Sequence, residues 1–268
     1  MADETDQMDA FGQVDFVRLH DWATAQRLED LPFFSRLAAE RGAAVLDVAC
    51  TTGRLDIPLA RQGCEVAGLV CSEAMLGLVR AKVEAEPAEV RARLSFFQES
   101  MEEFDLGRQF PTVLMPDSAV FELHGRFSVT QCLRRLYRHT EPGGVAVIDA
   151  VAPEVMAEQV VGRRVEAAEG VNPATGLLTR HVTRVINVSW DTQMVSEMQT
   201  FVEVEGERER EVAFRRDYRW LGRDEGVELL SRAGFPEVEV LGDYEGGPFE
   251  PGCPRLILIA HRLDRDFI

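Results

Sequence analysis

The chain has 268 residues, 46% hydrophobic and 28% charged, a balance typical of a soluble globular enzyme with one sizeable core. Its formal net charge of −17 disfavours nucleic acid or an anionic membrane as a partner, because phosphates are bound by clustered lysines and arginines. The five cysteines form no CxxC pair and no histidine cluster has zinc spacing, so we expect reduced thiols and no metal site. Neither a signal-peptide stretch nor a membrane-length apolar run is seen, which favours a cytoplasmic protein.

The first predicted element is helical. After a polar, acidic segment, apolar residues recur with helical spacing from residue 16 to about residue 41. We therefore expect residues 1–42 to form an N-terminal helical cap.

Strands and helices then alternate along the chain. Strands are predicted at 44–49, 64–70, 94–98, 111–116 and 145–151, and helices at 54–62, 72–84 and 127–139. This alternation predicts an α/β core of doubly wound type, with a largely parallel sheet covered on both faces.

The pattern changes after Pro153. The segments 178–190, 193–205 and 210–221 alternate like strands and predict an antiparallel meander, inserted as a lid over 154–221. A helix at 222–233 and strands at 236–241 and 254–261 follow, so the predicted core comprises 43–153 and 222–268.

The turn after the first strand is typical of a nucleotide-cofactor site. An apolar strand ending near Asp47 runs through a tight turn into a helix, at the sheet edge where such sheets bind ligands. Turns of this kind normally carry several glycines, because the backbone passes close to the ligand and needs positive φ. Here only Gly53 is present, while Ala49 and Thr51 stand where other glycines are expected.

The order and sequences of these elements resemble class I S-adenosylmethionine-dependent methyltransferases, specifically small-molecule N- and O-methyltransferases with an inserted β lid. The likeness is closest over 45–82, over 133–149 with its Pro-Gly-Gly turn, and over 217–262. It implies a seven-stranded, mostly parallel, Rossmann-like sheet.

The resemblance also implies a set of cofactor-binding positions, several of which depart from the family pattern. The acid that accepts from the ribose hydroxyls is replaced by Val70, and the acid that meets the adenine amino group by Ser100. A ribose diol against valine loses a charge-assisted hydrogen bond, at a cost of about 1–3 kcal/mol. The implied positions are Asp47, Ala49, Thr51, Gly53, Val70, Cys71, Ser100 and Met101.

Candidate catalytic residues follow the fourth predicted strand. Asp117, Glu122 and His124 are expected near a strand end that carries substrate residues in the resembled family, and each suits general acid–base chemistry. The alternative is that Asp117 and Ser118 cap a turn and that His124 is a surface residue. In the lid, Tyr218 is a fourth candidate, and the arginines beside it are interpreted mostly as a solvated strand face. Expected pocket residues are Val14, His20, Trp22, Met115, Ser118 and Phe121.

Three functions are compatible with these residues. The preferred hypothesis is a natural-product enzyme whose remodelled, less polar cofactor pocket holds an apolar intermediate, as a cofactor-independent cyclase or isomerase. The alternative is an S-adenosylmethionine-dependent N- or O-methyltransferase of a small molecule with an atypical cofactor grip. A non-catalytic binding protein is the third, and its mark would be a pocket filled by bulky side chains. The expected cofactor is therefore none or S-adenosylmethionine, the expected partner is a small molecule, and the oligomeric state is not predicted.

Overall fold

The computed structural model describes residues 13–25, 27–153, 155 and 161–264. Its first half comprises α1 (Val14–Thr24), α2 (Leu31–Glu40), β1 (Ala44–Val48), α3 (Asp56–Arg61), β2 (Glu65–Val70), α4 (Glu73–Glu84), α5 (Ala88–Arg91), β3 (Leu94–Gln98) and β4 (Phe110–Met115). A 3₁₀ turn (Ala119–Glu122), α6 (Arg126–His139), β5 (Thr140–Val151), β6 (Arg164–Val171), β7 (Leu178–Ser189), β8 (Met194–Glu205), β9 (Arg208–Arg219), α7 (Arg223–Ala233), β10 (Glu237–Leu241) and β11 (Arg255–His261) follow.

The larger sheet has seven strands in the order β10-β11-β5-β4-β1-β2-β3. β3, β2, β1, β4 and β5 run parallel, whereas β11 is antiparallel to both β5 and β10. The predicted mostly parallel sheet is thus confirmed. Because β1 lies between β2 and β4, the strand order reverses at its carboxyl end, and this is where open α/β sheets bind ligands.

Both faces of this sheet are covered, as the alternation of elements predicts. One face packs against α6 and α7 through residues such as Leu133, Leu136 and Leu229. The other face packs against α2 and α3 through residues such as Phe34 and Leu59. Residues of the central strands β1 and β4 are accordingly buried on both faces of the sheet rather than in alternation.

The smaller sheet is a four-stranded antiparallel meander in the order β6-β7-β8-β9. The sequence predicts only three of these strands. β6 is mostly exposed and lacks the alternation of apolar residues that marks a half-buried strand. The domain boundaries placed at 42, 153 and 221 stay predictions. Residues 1–12 and 26 of the cap, 154 and 156–160 of the lid, and 265–268 of the core fall outside the described part.

The N-terminal cap also differs from the expected single helix. Two helices, α1 and α2, are separated by a segment that ends at Asp30, a buried residue paired with Arg54. Apolar spacing continues through this break and therefore does not reveal it. Within the described residues no helix is both long and apolar enough to cross a membrane.

Candidate active site

The turn after β1 keeps a glycine-type backbone without most of its glycines. φ is 83° at Ala49, 51° at Thr51 and 79° at Gly53, all in the left-handed region. Such conformations cost a non-glycine residue about 1–3 kcal/mol and persist only where neighbouring structure holds them. A hydrogen bond of 2.9 Å from the Cys50 amide to the Leu69 carbonyl ties the turn to β2. The turn therefore has a backbone shape that favours glycine, although only one of these three residues is glycine.

Three polar side chains fasten α1 to this turn. Asp21 accepts hydrogen bonds from Thr52 Oγ1 at 2.5 Å and from Lys82 Nζ at 2.7 Å. Lys82 also donates to the Thr52 carbonyl at 2.8 Å. An ion pair joins the segment before α2 to the same turn: Arg54 donates to both carboxylate oxygens of Asp30 at 2.7–2.8 Å.

Beside the end of β2, α1 packs against α4. Val17 of α1 is 2% exposed and belongs to one apolar cluster with Cys50, Val70 and Met75. Val70 itself is 1% exposed. It is therefore part of a packed cluster that includes a residue of α1 and does not line an apolar cavity, contrary to the sequence-based expectation. The expected pocket residues Met115 and Phe121 are likewise buried, in the main core.

The other expected cofactor positions surround this cluster. Cys71 and Ser100 are exposed, and Met101 is half-buried against the main core. Ser100 organises a turn, since its carbonyl accepts from the Phe104 amide at 3.0 Å and its Oγ from the Glu102 amide at 3.2 Å. The exposed carboxylates nearest to Val70 in the chain and the sheet are Glu73, three residues on, and Glu99, whose amide donates to the Val70 carbonyl at 3.2 Å.

A charged group lies on the inner side of the small sheet, and we call Glu122, Glu197, Arg216 and Tyr218 the lid cluster. Arg216 pairs with Glu122 and, at 3.7 Å, with Glu197. Tyr218 donates to Glu197 Oε2 at 3.2 Å. Burial raises the pKa of the Tyr218 hydroxyl, with Glu197 as the next contributor, so Tyr218 is a neutral hydrogen-bond donor. The cluster joins β8 and β9 to the turn after β4.

Two neutral histidines face the lid cluster. Burial lowers the pKa of His20 to about 3, and the guanidinium of Arg216 adds to this effect. Burial likewise lowers the pKa of His181 to about 4, with Arg27 and Arg216 contributing. Both imidazoles therefore offer hydrogen bonds without charge at neutral pH.

Two of the four predicted catalytic residues lie in the lid cluster, and the other two are exposed. Glu122 and Tyr218 belong to the lid cluster. Asp117 is exposed and pairs with Arg27 at 3.5 Å, and its charge reaches His20. His124 is exposed, and its Nε2 lies 2.8 Å from the Asp217 carbonyl oxygen, so it contacts the backbone of β9.

The remaining expected pocket residues are also divided. Ser118 Oγ accepts from the Val151 amide at 3.0 Å, a structural contact between the turn after β4 and β5. Trp22 packs beside the small cluster that α1 forms with the lid, whereas Val14 is 73% exposed at the start of α1.

Sequence reasoning missed Arg216, Glu197 and His181. The strand period was the available signal, since residues 214, 216 and 218 share one face of β9 while Arg215 and Asp217 share the other. In the structure Arg215 is exposed and pairs with Asp217 at 3.3 Å, whereas Arg216 points inward. Because arginines lie on both faces of this strand, composition alone does not separate them.

Comparison with known proteins identifies the fold. Residues 45–144 match the family model described as a methyltransferase domain. The resemblance to class I methyltransferases is confirmed. Similar solved structures include the CcbJ methyltransferase from Streptomyces caelestis, with a TM-score of 0.74 and 22% identity over 88% of this chain and 90% of that one. The sugar N-methyltransferase KedS8 from Streptoalloteichus sp. has a TM-score of 0.69 and 22% identity, over 88% and 87% of the two chains.

Curated relatives match a smaller part of the chain. A putative methyltransferase from Geobacillus sp. (strain WCH70) is 32% identical over 116 residues, 43% of this chain and 44% of the relative. The dTDP-3-amino-3,4,6-trideoxy-α-D-glucopyranose N,N-dimethyltransferase of Streptomyces venezuelae is 28% identical over 168 residues, 62% of this chain and 67% of the relative. The chain matches less than half of the length of three of these curated relatives, 44% in each case.

These relatives contradict the preferred sequence-based hypothesis. Proteins similar to this chain are named as methyltransferases, several of them as N,N-dimethyltransferases of amino sugars, so the expectation of a cofactor-independent cyclase or isomerase is wrong. An apolar residue at position 70 does not imply an apolar ligand, because Val70 belongs to a packed apolar cluster of the protein that includes Val17 of α1.

Proposed function

We propose that the chain is an S-adenosylmethionine-dependent methyltransferase that acts on a nitrogen or oxygen atom of a small molecule. The turn after β1 is the observation that carries this proposal. At the switch point of the sheet, three residues with positive φ give the backbone a shape that lets a ligand approach closely. Two of them, Ala49 and Thr51, are not glycine, so this conformation is strained. The relatives named for dTDP-amino-sugar methylation support an amino sugar as the acceptor.

The residues of the turn fit the cofactor. Ala49, Thr51 and Gly53 would bring the backbone against its methionine end, with the acidic side chain of Asp47 beneath. At the nucleoside end, Glu73 and Glu99 would accept from the ribose hydroxyls in place of residue 70, since both residues are exposed, Glu73 follows Val70 by three residues and the amide of Glu99 donates to the Val70 carbonyl. Val17 would have to move away from Val70 for a nucleoside to enter. The cofactor, when bound, supplies the methyl group.

The lid cluster suits the acceptor. Glu197 accepts from Tyr218 and, at 2.7 Å, from Gln199 Nε2, so the amide of Gln199 is fixed in orientation. Its Oε1 is left buried without a hydrogen-bond partner among the described residues, ready to accept from a hydroxyl or amine of a ligand. These residues would bind and orient the acceptor, and the neutral imidazole of His20 would hydrogen-bond it without repelling an ammonium group. Alignment of the two reactants accounts for much of the rate in transfers of this kind.

The proposal is tested by methyl transfer from radiolabelled S-adenosylmethionine. We expect methylation of dTDP-3-amino-3,6-dideoxyglucose, or of its hydroxyl analogue if oxygen is the acceptor. Glu197→Gln should reduce turnover at least about tenfold while leaving cofactor affinity unchanged, because it weakens the orientation of Tyr218 and Gln199. Glu205→Gln, an exposed position on the same strand, is the matched control and should behave like the wild type. Absence of cofactor binding at millimolar concentration in calorimetry would refute the proposal.

A further inference from the structure

Two buried carboxyl groups lie side by side beneath the turn. Asp47 on β1 is in register with Gly68 on β2, and side chains in register on parallel strands point to the same face. A Cβ atom placed on Gly68 would lie 2.7 Å from Asp56 Oδ1 and 2.6 Å from Cys50 Sγ. The carboxyl of Asp56, from the start of α3, thus fills the space beside Asp47 that a glycine leaves open.

These carboxyls are cut off from water. Asp56 is 0% exposed and Asp47 is 1% exposed. In the described part of the chain, Oδ1 of Asp47 and both oxygens of Asp56 have no hydrogen-bond partner from another residue, and the amide of Asp56 itself is the one backbone group that favours ionisation of its side chain. An ionised carboxylate in such a place is costly, and two adjacent ones repel each other, so groups of this kind share a proton. Burial raises the pKa of both side chains, that of Asp56 to about 7.

The charged groups around the pair are already engaged. Arg54, on the turn, is held by Asp30 from the segment before α2. Lys82, on α4, is held by Asp21 of α1 at 2.7 Å. Both cations favour ionisation of the pair at a distance, whereas the charge of Asp30 opposes it at Asp47. The thiol of Cys50 is neutral, because burial raises its pKa.

We propose that Asp47 and Asp56 hold one proton between them in the free protein and release it to solvent when a cationic ligand binds at the turn. The ligand class is a small organic cation, and the sulfonium cofactor is the candidate, so this inference rests on the proposed function. A positive charge placed against the turn favours the ionised pair by direct Coulomb attraction in a medium of low dielectric constant. Asp56 thereby becomes a binding-site residue that makes affinity for a cation depend on pH.

Calorimetric titration of S-adenosylmethionine in two buffers of different ionisation enthalpy measures the proton release. At about pH 6.5 we expect about 0.5–1 proton released per site, and a Kd that rises about tenfold from pH 8 to pH 6. Asp56→Asn keeps the shape but leaves Asp47 as the one carboxyl of the pair and removes the repulsion from Asp56, so proton release should fall by at least about half and the Kd should depend less on pH. Glu89→Gln makes the same charge change at an exposed position and should match the wild type. Equal proton release by the wild type and Asp56→Asn would overturn the proposal.

A second measurement needs no ligand and separates this proposal from the proposed function. Carboxyl carbon NMR of aspartate-labelled wild-type protein should show one aspartate titrating near pH 7, and this titration should be missing in Asp56→Asn. If this titration is seen but S-adenosylmethionine does not bind, the shared proton is supported and the proposed methyltransferase function is refuted. If every aspartate titrates below about pH 5, the shared proton is disproved whether or not the cofactor binds.

Discussion

At the end of β2 the side chains form an apolar cluster that includes Val17 and Val70, whereas the lid meets the turn after β4 through the charges of Arg216, Glu122 and Glu197. In the first region, valine stands where the resembled family carries an acid, and a residue of α1 belongs to the same apolar cluster. In the second region, the charges are paired with one another. A change at a ligand-binding position therefore has to be interpreted with the element that packs on it. The side chain alone does not reveal whether the ligand or the protein has adapted.

The lid cluster should be the more sensitive region to substitution. Arg216→Met leaves Glu122 and Glu197 without their shared cation, and we expect a loss of about 3 kcal/mol in the free energy of unfolding. Urea denaturation measures it. Arg215→Met, one residue away on the exposed face, should change stability by less than about 0.5 kcal/mol. Similar losses in both variants would show that Arg216 is not an interior charge.

The apolar cluster at the end of β2 should be sensitive to the volume of the side chain at position 17. Val17→Ala removes two methyl groups from the cluster around Val70, and we expect a loss of about 2 kcal/mol in stability. It should also tighten cofactor binding, because the space that a nucleoside needs is partly cleared. Thermal unfolding with and without S-adenosylmethionine tests both effects. Val14→Ala, on the exposed start of the same helix, is the control. Weaker cofactor binding in Val17→Ala would mean that Val17 supports the ligand instead of blocking it.

The smallest expected effect is the acid sensitivity caused by His20. Its folded pKa of about 3 lies below the unfolded value near 6.5, so the stability from keeping it neutral is complete above pH 6.5 and is lost as pH falls toward 3. At pH 5.5 this amounts to about 1 kcal/mol. His20→Gln should accordingly lose less stability than the wild type between pH 7 and pH 5.5, while His124→Gln, at an exposed site, should not differ from it. An unchanged pH dependence in His20→Gln would show that His20 is solvated.

Much of the fold is predictable from the sequence because it depends on local periodicity. The buried strands around Asp47 and the helices between them carry apolar patterns that only a covered parallel sheet satisfies. The exposed strand β6 and the break between α1 and α2 were missed, since neither interrupts or creates such a pattern. Of the site, Glu122 and Tyr218 were found from their position relative to strand ends and the lid, whereas Arg216 was hidden among surface arginines.

The sequence by itself determined the alternation of strands and helices in the core, the three longer strands of the lid and the place of the turn after β1. Only the tertiary structure decided that Val17 shares an apolar cluster with Val70, that Arg216 is a half-buried charge paired with Glu197, and that Asp56 lies beside Gly68, the residue in register with Asp47. The physical reason is distance along the chain. Periodicity reports what a residue does within its own helix or strand, but the free energy of a buried charge or a filled cleft depends on neighbours contributed by other elements.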